Sequence, residues 1–357
     1  MKLTNASCIL TAGLSRRAFV GASLASVATL VLAGCNSGSG SADGAADASS
    51  DSKAASGEKT KITFCLDYTP NTNHTGIYVA QNKGFFADEG LEVEIVQPAD
   101  GTAEGAIGTG QAQLGVSYQD YVAAAYDAGN TGLTAVAAVI QHNTSGIMSR
   151  AEDGITHAAL MEDHVYTTWD MAVEQATIKQ IMTTDGGDFS KLKMVPFTVD
   201  DEVQGLKANM FDCVWVYEGW AVQNAAVQDY PVNYFSFKDM DDVFDFYTPV
   251  LAANNDFMKS NPDAVKAFLR AAKKGYEFAV EHPEDAAQIL CDEVPELDSA
   301  LVEASAKYLA DQYTADASSW GAIDGKRWAA YFQWLNDNDL VENKLDVNAG
   351  FDTSYLA

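Results

Sequence analysis

The stretch Phe64–Ile95, FCLDYTPNTNHTGIYVAQNKGFFADEGLEVEI, decides the fold. Ile62, Phe64 and Leu66 alternate with Thr63 and Cys65, the period-2 pattern of a short strand buried in a sheet. The strand runs out into Asp67, Tyr68, Thr69, Pro70, Asn71, Thr72, Asn73, His74 and Thr75, nearly all able to donate or accept a hydrogen bond. A helix then carries Ile77, Tyr78, Ala80 and Gln81 and stops at Gly84, after which Leu91, Val93 and Ile95 alternate as a second strand. In an open α/β sheet, ligands settle beyond the carboxyl ends of the strands, where helix N-termini present free N–H groups. The polar cluster from Asp67 to Thr75 occupies that place.

The same unit recurs down the chain. Ala103, Ala106 and Ile107 suit a short helix ended by Gly108 or Gly110; no Gly-Lys-Ser/Thr follows, so this is not a phosphate loop. Leu114–Val116 reads as a strand delivering Ser117, Tyr118, Gln119 and Asp120 to its tip, with a helix from Tyr121 to Ala128. Leu133–Ile140 is a third strand and ends in the polar run Gln141–Ser145. From Ala151 the pattern restarts as though in a new sheet. His164–Tyr166 leads into Thr167, Thr168, Trp169 and Asp170, a helix follows from about Val173 to Met182, and Met194–Phe197 is a further strand. Asp200, Asp201 and Glu202 open a helix at its positive end. The strand Cys213–Val216 then carries Tyr217, Glu218, Gly219 and Trp220 at its tip, and Val232–Phe237 is another strand. Phe246–Leu251 leads back to the first sheet, and helices fill most of the remainder, among them one opened by Ser260, Asn261 and Pro262. The chain is therefore expected to form two α/β lobes, each a mostly parallel sheet flanked by helices, with the ligand cleft between them. Residues 59–145 with 246–357 make the first lobe, whose C-terminal helices cover the hinge, and residues 146–245 the second.

The first 58 residues carry an address instead of a core. Ser15-Arg16-Arg17-Ala18-Phe19 is similar to a twin-arginine export signal, and the apolar run Val20–Ala33 after it is too short to span a membrane. Leu32-Ala33-Gly34-Cys35 matches a bacterial lipobox, so residues 1–34 are expected to be a signal peptide. Cleavage would leave Cys35 as a lipidated N-terminus, held by about 0.8 kcal/mol for each buried methylene. Residues 35–58 are Gly, Ser, Ala and Asp with little that is apolar beyond alanine, the composition of a disordered tether.

Composition narrows the partners. The formal charge is −28, and removal of Lys2, Arg16 and Arg17 with no acid takes it to −31. So acidic a surface repels nucleic acid and anionic lipid. Cys65, Cys213 and Cys291 remain after export, an odd number without metal-type spacing, and read as buried apolar residues. No G-x-S-x-G nucleophile turn and no dinucleotide fingerprint occurs, and the five histidines are scattered, so neither catalysis nor a cofactor nor a metal is expected. The tips instead gather aromatic rings beside carboxylates and amides: Asp67, Tyr68, Asn71 and His74; Tyr118; Trp169; Tyr217, Glu218 and Trp220. That mixture suits a flat, nitrogen-containing ring, which aromatic faces stack upon while carboxylates accept from an exocyclic amino group or hold a protonated ring nitrogen.

The run Asp67–Ala80, with Lys83-Gly84-Phe85-Phe86 and Glu89-Gly90-Leu91 after it, resembles the N-terminal signature of substrate-binding lipoproteins of ABC importers for thiamine pyrimidine precursors. Gln141–Gly146, Thr168-Trp169 followed by Glu174–Lys179, and Asp188-Phe189-Ser190 extend the resemblance over most of the chain, although these later motifs recur in relatives that bind sulfonates, nitrate or riboflavin-like ligands. The resemblance implies a type II periplasmic-binding-protein-like fold and a monomer that closes about a hinge and delivers ligand to a permease driven by an ATPase. It places Asp67, Tyr68, Asn71 and His74 on the first lobe's half of the site and Trp169, Tyr217 and Glu218 on the second's. The implied ligand is an aminopyrimidine such as hydroxymethylpyrimidine or its formylamino relative. Leu160–Thr167 lacks the usual glycine-rich approach to the second-lobe strand, which leaves the wall near Trp169 open. The fold is shared with an intracellular, iron-dependent pyrimidine synthase that consumes a histidine and pyridoxal phosphate; His74 aligns with such a residue, but the cysteine cluster of that activity is missing.

Overall fold

The computed structural model describes residues 59–98, 102–196 and 201–356. The signal, the tether and Cys35, like Phe197 and Asp200, lie outside the described residues. Among the described residues, ten strands form two five-stranded sheets. The first contains β1 (Thr60–Cys65), β2 (Leu91–Val96), β3 (Leu114–Ser117), β4 (Leu133–Ala138) and, from far along the chain, β10 (Val250–Asn254), in the order β2-β1-β3-β10-β4. The second contains β5 (Ser145–Arg150), β6 (Val165–Thr168), β7 (Lys193–Pro196), β8 (Cys213–Tyr217) and β9 (Val232–Ser236), in the order β7-β6-β8-β5-β9.

Both sheets have one design. β1 runs parallel to β2 and β3, and β10 is antiparallel to its neighbours β3 and β4. β6 likewise runs parallel to β7 and β8, and β5 is antiparallel to β8 and β9. The antiparallel strand in each case is the one on which the chain crosses: β5 enters the second sheet and β10 returns to the first. Sequence periodicity misses β5, because Ser145–Arg150 is buried on both faces and so shows no alternation. The polar run Gln141–Ser145 is the crossing segment itself, with Ser145 already in the strand.

The first unit folds as its pattern dictates. Ile62, Phe64 and Leu66 pack into one core cluster while Cys65 faces the other side of the sheet. The helix Thr75–Asn82 ends where Gly84 takes a left-handed φ of 76°. It lies against the long C-terminal helix Pro262–Glu281 at a glycine contact: a Cβ on Gly275 would stand 1.9 Å from the Gly76 carbonyl oxygen. Phe64, Phe86 and Phe268 stack at 5.3 and 4.9 Å to fill the space beside it.

Side chains bind the two crossing segments to each other. The Asp245 carboxylate accepts from Asn143 N–H (2.9 Å) and Arg327 Nη1 (2.8 Å) and lies 2.7 Å from His142 Nδ1. Arg327 also donates through Nη2 to the Gln141 carbonyl at 2.7 Å. One cation, from the helix Gly325–Asp337, thus ties the two crossing segments together. Among the described residues no helix is long and apolar enough to cross a membrane. Cys65, Cys213 and Cys291 are free thiols; the first two are buried, whereas Cys291 is half-buried, so the reading of all three as core holds for two.

Candidate functional site

The tip of β1 is built around one carboxylate. Asp67 Oδ1 lies 2.6 Å from His74 Nε2, and Asp67 Oδ2 accepts from the Tyr118 hydroxyl at the tip of β3. The other ring nitrogen of His74, Nδ1, accepts from the backbone N–H of Asn71 at 3.1 Å. A backbone N–H can only donate, so Nδ1 carries no proton, and Nε2–H is the donor to Asp67. Burial by itself would raise the Asp67 pKa; the hydrogen bonds from His74 and Tyr118 outweigh it and hold the carboxyl below its usual range. Tyr118 is displaced the opposite way, pushed far up by burial and by the Asp67 charge.

Asn71 and His74 therefore serve this loop. Asn71 Oδ1 accepts from Asn73 N–H at 2.9 Å, which caps the short turn Thr72–His74, and its Nδ2 donates to the Thr69 carbonyl at 3.1 Å. His74 is fully buried with both nitrogens engaged. Tyr68, in contrast, is 70% exposed.

A second buried carboxylate organises the tip of β6. Glu174, in the first turn of the helix Ala172–Thr184, accepts from Tyr166 Oη (2.6 Å), Thr168 Oγ1 (2.8 Å) and the backbone N–H of Trp169 (3.0 Å). It gathers the orphan donors of a helix start, as a capping-box glutamate does. Trp169 is thereby fixed at its backbone while its ring stays 51% exposed, 5.6 Å from Trp215. The approach to this strand, where glycine was missed, is made by Asp163 at φ 64°.

The sheets meet at their tyrosines. Tyr217, which ends β8, stacks across the cleft on Tyr118 with ring centroids 6.4 Å apart and planes 27° from parallel. Its ring is 38% exposed, yet burial drives its phenol pKa up, with the Asp120 charge adding to the push. Tyr121 beside it is pushed up to about 12 by burial and then by Asp120, Glu104 and Asp67. The charges that act on these phenols come from carboxylates and raise their pKa values in the same direction as burial does.

Glu218 follows Tyr217 and faces away from it. Its Oε2 accepts from Tyr308 Oη at 2.7 Å, on the helix Ser299–Thr314 of the C-terminal group. Burial and this hydrogen bond raise the Tyr308 pKa. Glu218 opens a wide, π-type turn, Glu218–Val222, that holds the half-buried Trp220; such turns occur often at functional sites. The same helix reaches both tips: Ser305 Oγ donates to the Gly219 carbonyl and lies 2.6 Å from Thr72 Oγ1.

Of the residues singled out from the sequence, Asp67, Asn71, His74, Tyr118 and Tyr217 come together, Trp169 joins Trp215, and Glu218 joins Tyr308. Three residues escaped that reading. Glu174 and Asp120 each sit in the first turn of a helix, where an acid is ordinarily a complement to the helix dipole; Tyr308 lies mid-helix and carries no local signal. Asp120 lines a crevice of about 360 Å³ with Val173 and Tyr331, between the helices of the two sheets.

Two sheets of one strand order, crossed twice by the chain and facing each other at aromatic tips, define the type II periplasmic-binding-protein fold. The alkanesulfonate-binding protein SsuA of Xanthomonas axonopodis pv. citri superposes with a TM-score of 0.64 at 10% identity, covering 83% of this chain and 99% of that one. SsuA of Escherichia coli gives 0.64 at 15% identity, covering 81% and 96%. The chain belongs to the NMT1/THI5-like family, which it matches over residues 71–286. A formylaminopyrimidine-binding protein of Halalkalibacterium halodurans is 27% identical over 298 residues, 80% of this chain and 88% of that protein. The 4-amino-5-hydroxymethyl-2-methylpyrimidine phosphate synthase THI11 of Saccharomyces cerevisiae is 24% identical over 252 residues, 68% of this chain and 73% of that protein.

Proposed function

We propose that the chain is the extracytoplasmic solute-binding lipoprotein of an ABC importer, anchored through Cys35, and that it captures a thiamine pyrimidine precursor and hands it to a permease. Residues 59–145 with 246–357 act as one lobe and residues 146–245 as the other. The ligand is an aminopyrimidine, hydroxymethylpyrimidine or its formylamino relative. The observation that carries this is the cleft itself: tyrosines from opposite sheets stack 6.4 Å apart in a field of carboxylates. A flat ring held between two aromatic faces needs two contacts of about 3.5 Å each, so Tyr118 and Tyr217 stand within about 1 Å of the spacing that would enclose one. The formylaminopyrimidine-binding relative supports the same ligand class. Sulfonate or nitrate would need a cation at the tips, where Asp67, Asp120 and Glu104 act instead.

The relatives named as synthases favour a second reading, in which His74 is consumed in a reaction. Its complete burial between Asn71 and Asp67 supports a structural role instead. Isothermal titration of the mature protein against hydroxymethylpyrimidine, its formylamino relative, riboflavin, ethanesulfonate and nitrate decides among these. Saturable one-to-one binding of the pyrimidines with the protein mass unchanged is the expected result. Tighter binding of an anion, or a mass loss at His74 on incubation with iron and pyridoxal phosphate, would refute it.

A further inference from the structure

Among the described residues, six buried side-chain atoms lack a hydrogen-bond partner. Four of them belong to residues linked to Tyr217 by charge, by strand pairing or by position on its strand face. Asp120 Oδ1 belongs to a carboxyl whose charge acts on the Tyr217 phenol, and the Thr248 side chain reaches the same phenol in a contact that lowers its pKa but falls short of hydrogen-bond geometry at Oγ1. Ser145, whose Oγ is also unpaired, is the direct cross-strand partner of Tyr217 and shares its face. Trp215, with an unpaired Nε1–H, precedes Tyr217 by two residues on that face of β8. Buried polar groups are ordinarily paired, and each exception calls for an explanation. Unpaired atoms on residues linked to one tyrosine, contributed by the helix Gln119–Asp127, β5, β8 and the returning segment before β10, are explained together if a further molecule completes them.

We infer that the cleft floor around Tyr217 is a ligand subsite, in which Asp120 Oδ1, the hydroxyls of Ser145 and Thr248 and the Trp215 indole N–H receive a planar edge bearing both hydrogen-bond donors and an acceptor. Amidines and aminopyrimidines present such an edge; the location between the sheets rests on the binding-protein function proposed above, and the subsite deepens it by naming Asp120 as the residue that selects the ligand. Asp120 is suited to this role. Its carboxyl is pushed up to about 7, first by burial and further by Glu104, against the opposing effect of the backbone N–H groups of Asp120 and Tyr121. Facing it are Tyr121 on its own helix, Glu104 from the helix Ala103–Gly108, Tyr217 from β8 and Tyr331 from the helix Gly325–Asp337, with Asp127 and Glu342 farther along the crevice. The acid and the ligand edge can then share one proton: a neutral carboxyl donates to a ring nitrogen, or a carboxylate accepts from a protonated one, and both descriptions have the same proton count. Affinity should peak near neutrality and fall on either side.

The test is titration calorimetry of the mature wild type, Asp120→Asn and Thr248→Val with hydroxymethylpyrimidine, its formylamino relative, riboflavin, ethanesulfonate and nitrate, between about pH 6 and 8. Asp120→Asn should lose about 10- to 100-fold in affinity for the pyrimidines, and Thr248→Val about 3- to 10-fold. Asp120→Asn should also lose the protein's share of the pH dependence. Its unliganded melting temperature should match or exceed that of wild type above neutral pH, because burial of an ionised Asp120 is then relieved, which separates the loss from misfolding. If wild type binds the pyrimidines and both variants bind them equally well with the same pH profile, the subsite is wrong and the proposed function stands. If riboflavin binds in their place and Asp120→Asn weakens it, the subsite stands and the ligand assignment falls. Binding of an anion, or of none of the five, overturns both.

Discussion

Replacing Asp67 by Asn should both destabilise the first lobe and weaken ligand binding. The carboxylate accepts from two donors, His74 Nε2–H and Tyr118 O–H. An amide offers one oxygen and one NH2 group, so in either orientation its NH2 meets a donor. His74 cannot escape by moving its proton, because Nδ1 is already committed to Asn71 N–H. The oxygen must stay on His74, and the NH2 group then meets the Tyr118 hydroxyl, which can accept from it only by turning its own proton away. A hydrogen bond to a charged acceptor is exchanged for a weaker one from a neutral amide and a buried hydroxyl proton is stranded, a cost of about 1–3 kcal/mol, or roughly 3–8 °C in melting temperature for a chain of this size. The sign with pH follows from the lowered Asp67 pKa. Stability conferred by a depressed carboxyl is complete above its unfolded value of about 3.9 and disappears as pH falls through the folded value. The gap between wild type and Asp67→Asn should therefore be constant above about pH 5 and narrow below about pH 4. Urea denaturation followed by tryptophan fluorescence at several pH values measures it. Equal denaturation midpoints at neutral pH, or a gap that widens on acidification, would refute the tautomer and the coupling drawn from it.

Two further outcomes follow from the same structure. Glu174→Ala strands the hydroxyls of Tyr166 and Thr168 and the Trp169 amide together; a loss of about 3–5 kcal/mol and a changed quench of the exposed Trp169 are expected in chemical denaturation and fluorescence, and an unperturbed emission spectrum would count against Glu174 as the organiser of that tip. Gly275→Ala sets a methyl 1.9 Å from the Gly76 carbonyl oxygen, so the two helices must part at a cost of about 3 kcal/mol or more; a melting temperature within about 1 °C of wild type would show that this contact is looser than described.

How much of this was legible beforehand varies with the physics involved. Phe64–Ile95 was read correctly because both strands alternate and the helix between them ends at a glycine that needs a positive φ. β5 was not, because a strand buried on both faces has no period to detect. The tips were located by strand ends, yet their side-chain directions were hidden. Tyr217 and Glu218 are adjacent in sequence but turn to opposite partners, Tyr118 and Tyr308, which lie 99 and 90 residues away in the chain. Asn71 and His74 have the same chemistry whether they cap a loop or hold a ring; only the geometry shows that both nitrogens of His74 and the oxygen of Asn71 are engaged within the loop. Glu174 could have been found, since an acid three residues past a helix cap is a capping signal. Asp120 was placed at the tip of β3 by the strand pattern but not set apart there, because a lack of partners leaves no local pattern.

That lack also bears on how the cleft would work as a switch. In the arrangement described, the sheets are close enough for Tyr118 and Tyr217 to stack, and four polar atoms on residues linked to Tyr217 are buried and unpaired. Each costs about 1–3 kcal/mol to leave so. Parting the sheets would return them to water, so without ligand this approach is penalised. A ligand that pairs with them removes the penalty only when the sheets are together, which is the differential affinity that any ligand-driven closure requires. Shifting a two-state equilibrium from 1:99 to 99:1 takes about 5.5 kcal/mol, and two or three restored hydrogen bonds supply that. Asp245 and His142 on the crossing segments are fastened together by Arg327 of the helix Gly325–Asp337, which would hold the segments in register during such a closure. On this account the polar atoms left unpaired on the cleft floor are the trigger of closure, and a variant that replaces them with apolar groups, such as Asp120→Leu with Thr248→Val, should close more readily without ligand and discriminate less well between ligands.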